Sequence, residues 1–192
     1  MPGRNPYEAA QNFIAPLQRA VSCLTLTRLM TPRNGLHEPD KPFSVTFAGG
    51  EPVSLATPKG RVLFEFVLHY VITRTDDPDR GPWKVSTRGY SYGISTPDGA
   101  EVVVWHWHPT SKVSSPHHHI GRAVVRPDAV VTSKHHLPSE RVSAEAVIRY
   151  CIEDLKVRPR RNDWRTVLAD SEDLFKLWRT WPNPAPSSAT RH

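Results

Sequence analysis

The spacing of apolar residues changes twice along this chain, and those changes limit the folds open to it. From Tyr7 to Met30 apolar residues recur every three or four positions, which is typical of a helix with one buried face. From Phe43 to about residue 131 they alternate in short runs separated by Gly and Pro turns, as in half-buried strands. From Ser143 to Trp181 the helical spacing returns. Helices, then strands, then helices predict an α+β fold.

The strand segments predict one antiparallel β-sheet of about four to six strands, flanked by N-terminal and C-terminal helices. We expect strands at 43–47, 53–55, 61–74, 83–94, 101–108 and 117–125. A single α+β domain is expected over 1–181, with 7–30 helical, 43–131 mainly β and 143–181 helical. Pro16 inside the first helical segment predicts a kink or two short helices. Residues 182–192 are rich in Pro, Ser and Ala and are expected to form a flexible tail.

Composition and charge narrow the function classes. No apolar run approaches the roughly 18 residues of a transmembrane helix, so no membrane association is expected. No apolar stretch of a secretory signal follows the basic start, and two cysteines are too few for a disulfide framework, so we expect a cytoplasmic protein. The net charge is +6, and 18 of the 25 basic residues are arginines. Because Arg binds phosphate through paired hydrogen bonds, this composition supports a nucleic-acid or nucleotide partner; a merely basic soluble protein is the equal alternative.

Seven of the ten histidines lie between residues 106 and 136. His106 and His108 end one predicted strand, and His117 and His119 begin the next after a short loop. Side chains alternate between the faces of a strand, so each pair shares a face. If the two strands form a hairpin, four imidazoles converge near its mouth.

Two chemistries fit such a cluster. The same four histidines can hold a divalent metal, zinc or manganese. Alternatively they can act as general acid and base on RNA, which supplies its own 2′-hydroxyl nucleophile, with Arg122 stabilising the phosphate charge. A structural role as half-buried strand residues is the simpler alternative.

Two further groups lie near the cluster in sequence. His135 and His136 are as consistent with a surface loop as with a contribution to the site. Glu140 and Glu145 are the nearest carboxylates, and we expect solvated helix positions for them rather than roles as ligands.

A basic segment with one aromatic residue separates the C-terminal helical patterns. It favours phosphate-backbone binding, with the indole stacking on a base. Its nucleic-acid-binding candidates are Lys156, Arg158, Arg160, Arg161, Trp164 and Arg165. The alternative is a basic turn whose Trp164 packs into the core.

Part of the chain resembles the TumE-like toxin family of prokaryotic type II toxin–antitoxin systems. The resemblance rests on the run Tyr90-x-Tyr92, the Val-rich strand after it and the run Pro116-His117-His118-His119. The resemblance covers about residues 60–150, and the family's Pro-His-x-His motif maps onto Pro116, His117 and His119. Where that family has an Arg-Tyr-Asp-like motif, this chain has Trp105-His106-Trp107-His108 and no carboxylate. The resemblance implies a small cytoplasmic toxin neutralised by a helix-turn-helix antitoxin protein encoded beside it.

We therefore expect a toxin-like protein that acts on nucleic acid, with a ribonuclease favoured. One alternative is a non-catalytic nucleic-acid or protein-binding module with a structural metal at the histidines. Another is a metal-dependent hydrolase or nucleotide-modifying enzyme that uses the same side chains.

Overall fold

The computed structural model describes residues 2–31, 37–75 and 81–178. Within them three helices pack on one face of a nine-stranded, antiparallel sheet, which confirms the α+β class. The helices are α1 (Pro6–Val21), α2 (Ala144–Glu153) and α3 (Trp164–Trp178). The strands are β1 (Pro2–Gly3), β2 (Leu29–Met30), β3 (Phe43–Phe47), β4 (Val53–Thr57), β5 (Gly60–Arg74), β6 (Trp83–Ser95), β7 (Glu101–Trp107), β8 (His117–Ile120) and β9 (Leu137–Pro138).

The strand count exceeds the expected four to six because β1, β2 and β9 are only two residues long. A two-residue strand shows no alternation that a sequence pattern can detect. The six longer strands lie at the predicted places, but β8 ends at Ile120 instead of 125. Residues 121–131 were expected to be mainly β and instead form turns, in which Val124 and Val125 donate backbone hydrogen bonds to the Gly121 carbonyl.

Helix α1 is shorter than predicted and is not divided at its proline. The Asn5 side chain caps it by accepting a hydrogen bond from the Glu8 amide at 2.8 Å. Pro16 lies inside one helix of 16 residues, buried against the C-terminal helices, so the expectation of two short helices is wrong. The expected helix to residue 30 is also wrong, because Leu29 and Met30 pair with β3 instead.

The sheet is built around the long hairpin of β5 and β6. One side of β5 pairs first with β4 and then with β3, and beyond β6 the order continues through β7, β8 and β9. The register between β5 and β6 shifts between His69 and Tyr70, which marks a β-bulge.

The face of the sheet that meets the helices carries the core. Tyr90 and Tyr92 stack there with ring centroids 4.9 Å apart, and Trp107 beside them is 5% exposed. The Tyr90 hydroxyl accepts a hydrogen bond from the Val142 amide at 2.9 Å. Both tyrosines of the Tyr-x-Tyr run are therefore core residues on the side of the sheet opposite to its exposed polar face.

The C-terminal helices complete the core layer. Ser143 caps α2, accepting a hydrogen bond from the Ala146 amide at 3.1 Å. The expected solvated position for Glu145 is wrong: it is fully buried and accepts a 2.6 Å hydrogen bond from Ser171 of α3. Glu140 is exposed, as expected, but it precedes α2 and does not lie in a helix. The tail predicted at 182–192 lies outside the described residues. None of the described helices is long and apolar enough to span a bilayer.

Candidate metal centre

The hairpin of β7 and β8 brings the predicted histidines together. The two strands are antiparallel, with His106 directly opposite His117 and Val104 opposite His119. Because opposite residues share a face, these histidines lie together on the helix-free face of the sheet. The ring centroid of His106 is 5.5 Å from that of His117 and 5.1 Å from that of His119.

A histidine from beyond the hairpin joins this cluster. Strand β9 pairs with β8 so that Pro138 is opposite His117, and the same register continues to place His136 across from His119. The His136 ring centroid lies 4.7 Å from that of His117 and 4.3 Å from that of His119. The ligand atoms of His117, His119 and His136 all lie within 4.8 Å of one another, so this triad could hold a metal ion. Among the residues that the structure describes, it is the one such group of three or more potential ligands.

Backbone carbonyls orient two of the three rings. The Nδ1 atom of His117 is 2.8 Å from the Ser115 carbonyl oxygen and therefore donates to it. A hydrogen bond to the Ser133 backbone engages the ring of His119 in the same way. With one nitrogen of each ring held by the backbone, the other is left for a ligand, as is usual for metal-binding histidines.

The turn that carries His136 is also fixed locally. Thr132 donates its backbone amide to Nδ1 of His135 at 3.0 Å, and its hydroxyl lies 2.9 Å from the same atom. This turn presents His136 at the open side of the triad, where its side chain is exposed, while His117 is only 5% exposed.

The electrostatics of the cluster favour neutral imidazoles. Burial, reinforced by His119 and the other neighbouring histidines, lowers the pKa of His106 to about 4. Burial, followed by His136 and His117, also lowers the pKa of His119. A lowered pKa favours the unprotonated ring in both cases, and only an unprotonated ring nitrogen can bind a metal.

The structure brings together the four predicted histidines but builds the triad differently from the expected set. His117 and His119 belong to it, His106 borders it, and His108 lies one step farther, 5.6 Å from His106 between ring centroids. His136 is equally consistent with a surface loop from its sequence, and no pattern pointed to His69, whose ring centroid lies 6.1 Å from that of His108. The alternation of side chains along β5 places His69 on the helix-free face. Only the pairing register between strands shows which residues lie next to it.

Arg122 and the basic segment do not join the histidines. Arg122 is exposed just after β8. It lies near the turn between β6 and β7, where the Thr96 hydroxyl lowers the pKa of Asp98 and the charge of Arg122 adds a smaller effect.

The basic segment lies in the helix layer. The Arg160 amide donates to the Cys23 carbonyl oxygen at 2.9 Å, just beyond the end of α1, and the Arg161 guanidinium pairs with Asp163 at 2.8 Å. Trp164 is 5% exposed within the core, under the guanidinium of Arg165, which corresponds to the core-packing alternative and leaves no free ring face for a base. Lys156, Arg158 and Arg160 are exposed on this side.

Comparisons with known proteins return no relatives: no family model, no curated protein and no solved structure matches the chain.

Proposed function

We propose that this chain is a metal-dependent nuclease that cleaves RNA at the triad of His117, His119 and His136. The observation that carries the proposal is the number and exposure of these ligands: three imidazoles converge, and His136 is exposed. Three protein ligands leave the fourth position of a tetrahedral zinc ion to water or substrate, which is the arrangement of catalytic zinc. Nitrogen donors also suit zinc better than manganese, which prefers oxygen.

The chemistry follows from this arrangement. A divalent ion at the triad would act as a Lewis acid and make water a stronger nucleophile near neutral pH. A water oxygen would bond to phosphorus as the bond from phosphorus to the leaving oxygen breaks, and the leaving oxygen would take up a proton from solvent water. His106 adjoins both His117 and His119 and is the neighbouring group positioned to accept the proton that the water loses.

Two observations support RNA as the substrate and a toxin as the biological role. The chain carries a net charge of +6, dominated by arginine, which favours a polyanionic partner. The resemblance of the Pro116 to His119 run to TumE-like toxins adds a cytoplasmic location and a helix-turn-helix antitoxin as partner.

The test is cleavage of a single-stranded RNA by the purified full chain, stripped of metal and then supplied with zinc. The double variant H117A/H119A should lose both stoichiometric zinc and cleavage. H118A is the matched control, because His118 lies on the same strand but opposite Trp105 on the other face, and it should retain both. Cleavage that persists undiminished in the stripped protein would overturn the metal mechanism and favour metal-free acid–base catalysis.

A structural metal is the second candidate function. The observation that favours it is the position of His136 at the end of the turn-rich segment that follows β8. A bound ion would link this segment to the sheet. In a binding module of this kind, removal of zinc should unfold the domain, and the zinc-loaded chain should bind RNA or protein without cleaving RNA.

A further inference from the structure

The helix-free face of the sheet continues the histidine cluster across four strands. Pairing aligns Ser44 of β3 with His69 of β5, and His69 with Gly89 of β6. Beyond Gly89, His108 follows at the end of β7. A row of hydrogen-bonding side chains therefore leads away from the triad, in the order His106, His108, His69 and Ser44. We call it the imidazole row.

Local contacts hold the row in place. The Nδ1 atom of His69 is 2.8 Å from the Ser44 hydroxyl, so the ring orientation is fixed and Nε2 is not part of that bond. Ring centroids are 6.1 Å apart between His69 and His108 and 5.6 Å apart between His108 and His106. Gly89 lies between the first two rings: a Cβ there would be 3.6 Å from Cδ2 of His69 and 3.8 Å from Nδ1 of His108. No side chain of β6 therefore separates them.

Cations extend the row at the end away from the triad. Gly89 pairs with His69 while Thr87 pairs with Tyr70, so Arg88 is the extra residue of the bulge, and it is exposed. Val85 and Thr87 are buried on the core face, and strand alternation therefore places Lys84 on the helix-free face.

Two carboxylates lie toward His119, on the other side of the triad from the row: Glu101, whose charge acts on the His119 ring, and Glu65. Glu65 pairs with Gly93, in the cross-strand row that contains Val104 and His119. A polyanion leaving the triad would be repelled by Glu65 and attracted by Arg88. The charges thus favour a path along the imidazole row toward the bulge.

We infer that the imidazole row and Arg88 bind the phosphate backbone of a single RNA strand that runs from the triad across β7, β6 and β5. This inference rests on the proposed nuclease function and adds the path of the substrate. The regular separation of the rings, on the same scale as that between neighbouring phosphates in an extended strand, lets successive phosphate oxygens accept hydrogen bonds from successive imidazoles. The basic segment in the helix layer then lies on the opposite side of the sheet from the substrate.

The experiment measures binding of a short, fluorescent single-stranded RNA in the presence of a chelator, over a range of salt concentrations. R88Q should reduce the slope of log K against log salt by about 0.7, the value for one phosphate contact on a single strand. H69F keeps a ring at this position but has no N–H donor, and it should weaken binding about tenfold at one salt concentration, as expected for the loss of one hydrogen bond to a charged acceptor. Both variants should bind zinc as the wild type does, because neither residue belongs to the triad.

R160Q is the matched control, since Arg160 is an exposed arginine of the helix layer. A normal slope in R88Q together with a reduced slope in R160Q would overturn the inference and place the RNA on the helix layer. Normal binding by both R88Q and H69F, in a wild type that binds and cleaves RNA, would overturn the path alone. A wild type that neither binds nor cleaves RNA would overturn the proposed function as well.

Discussion

Zinc should raise the thermal stability of this chain through the triad, and the size of the effect can be worked out. At a free zinc concentration one hundred times its dissociation constant, binding to the folded state adds about 2.7 kcal/mol. For a domain of this length, 1 kcal/mol shifts the melting temperature by roughly 2–4 °C. The wild type should therefore melt about 5–11 °C higher with zinc than after chelation.

The informative perturbation is H136A. Because His136 is exposed, its removal should change the stability of the metal-free chain by no more than about 0.5 kcal/mol. Loss of one of three ligands should weaken zinc binding by at least about a hundredfold, since even residues that only support ligands contribute 10–100-fold. At the same zinc concentration the stabilisation then falls to about 0.4 kcal/mol, a shift of about 1–2 °C.

Scanning fluorimetry with a zinc titration measures both quantities. H118A is the control, because His118 lies opposite Trp105 on the other face of the sheet and outside the triad, and it should keep the full zinc shift. An unchanged wild-type melting temperature with zinc, or an equal shift in H136A and the wild type, would show that zinc does not bind at this triad.

Two further predictions concern the toxin role and the core. Induced expression of the wild type should arrest bacterial growth and H117A/H119A should not; arrest by both, at equal soluble levels, would remove these histidines from the toxic activity. S171A should destabilise the chain by about 1.5–3 kcal/mol in urea unfolding, because it removes the hydroxyl that donates to the buried Glu145 carboxylate. S114A, at an exposed position, is the control and should have little effect. Equal stabilities of the two variants would contradict the assigned hydrogen bond.

Local sequence patterns correctly predicted the features that depend only on residues close in the chain. Strand alternation correctly placed His106 with His108 and His117 with His119, and the short loop between them correctly indicated an antiparallel hairpin. The Ser143 cap was likewise predictable, because it depends on a side chain and an amide three residues apart.

Long-range pairing decided the rest. His136 belongs to the triad because β9 pairs with β8. A strand of two residues has no alternation of apolar and polar residues from which this pairing could be predicted. His69 reaches the imidazole row through the register of β5 with β6, including its bulge. The burial of Glu145 depends on Ser171, which lies in another helix 26 residues away.

The position of the basic segment also depends on long-range contacts that its own sequence does not predict. Its composition favours phosphate binding, but its position is set by Cys23 and Ser22, at the end of a helix formed from the start of the chain. Sequence proximity to the histidines therefore gave no information about which face of the sheet it occupies.

The proposed function requires that His117, His119 and His136 together hold a divalent metal ion. X-ray absorption at the zinc edge, on the full chain loaded with one equivalent of zinc, tests it most directly. We predict three imidazole nitrogens at about 2.0–2.1 Å from zinc in the wild type and two in H136A. Coordination by oxygen alone, or an identical three-nitrogen signal in H136A, would contradict the claim.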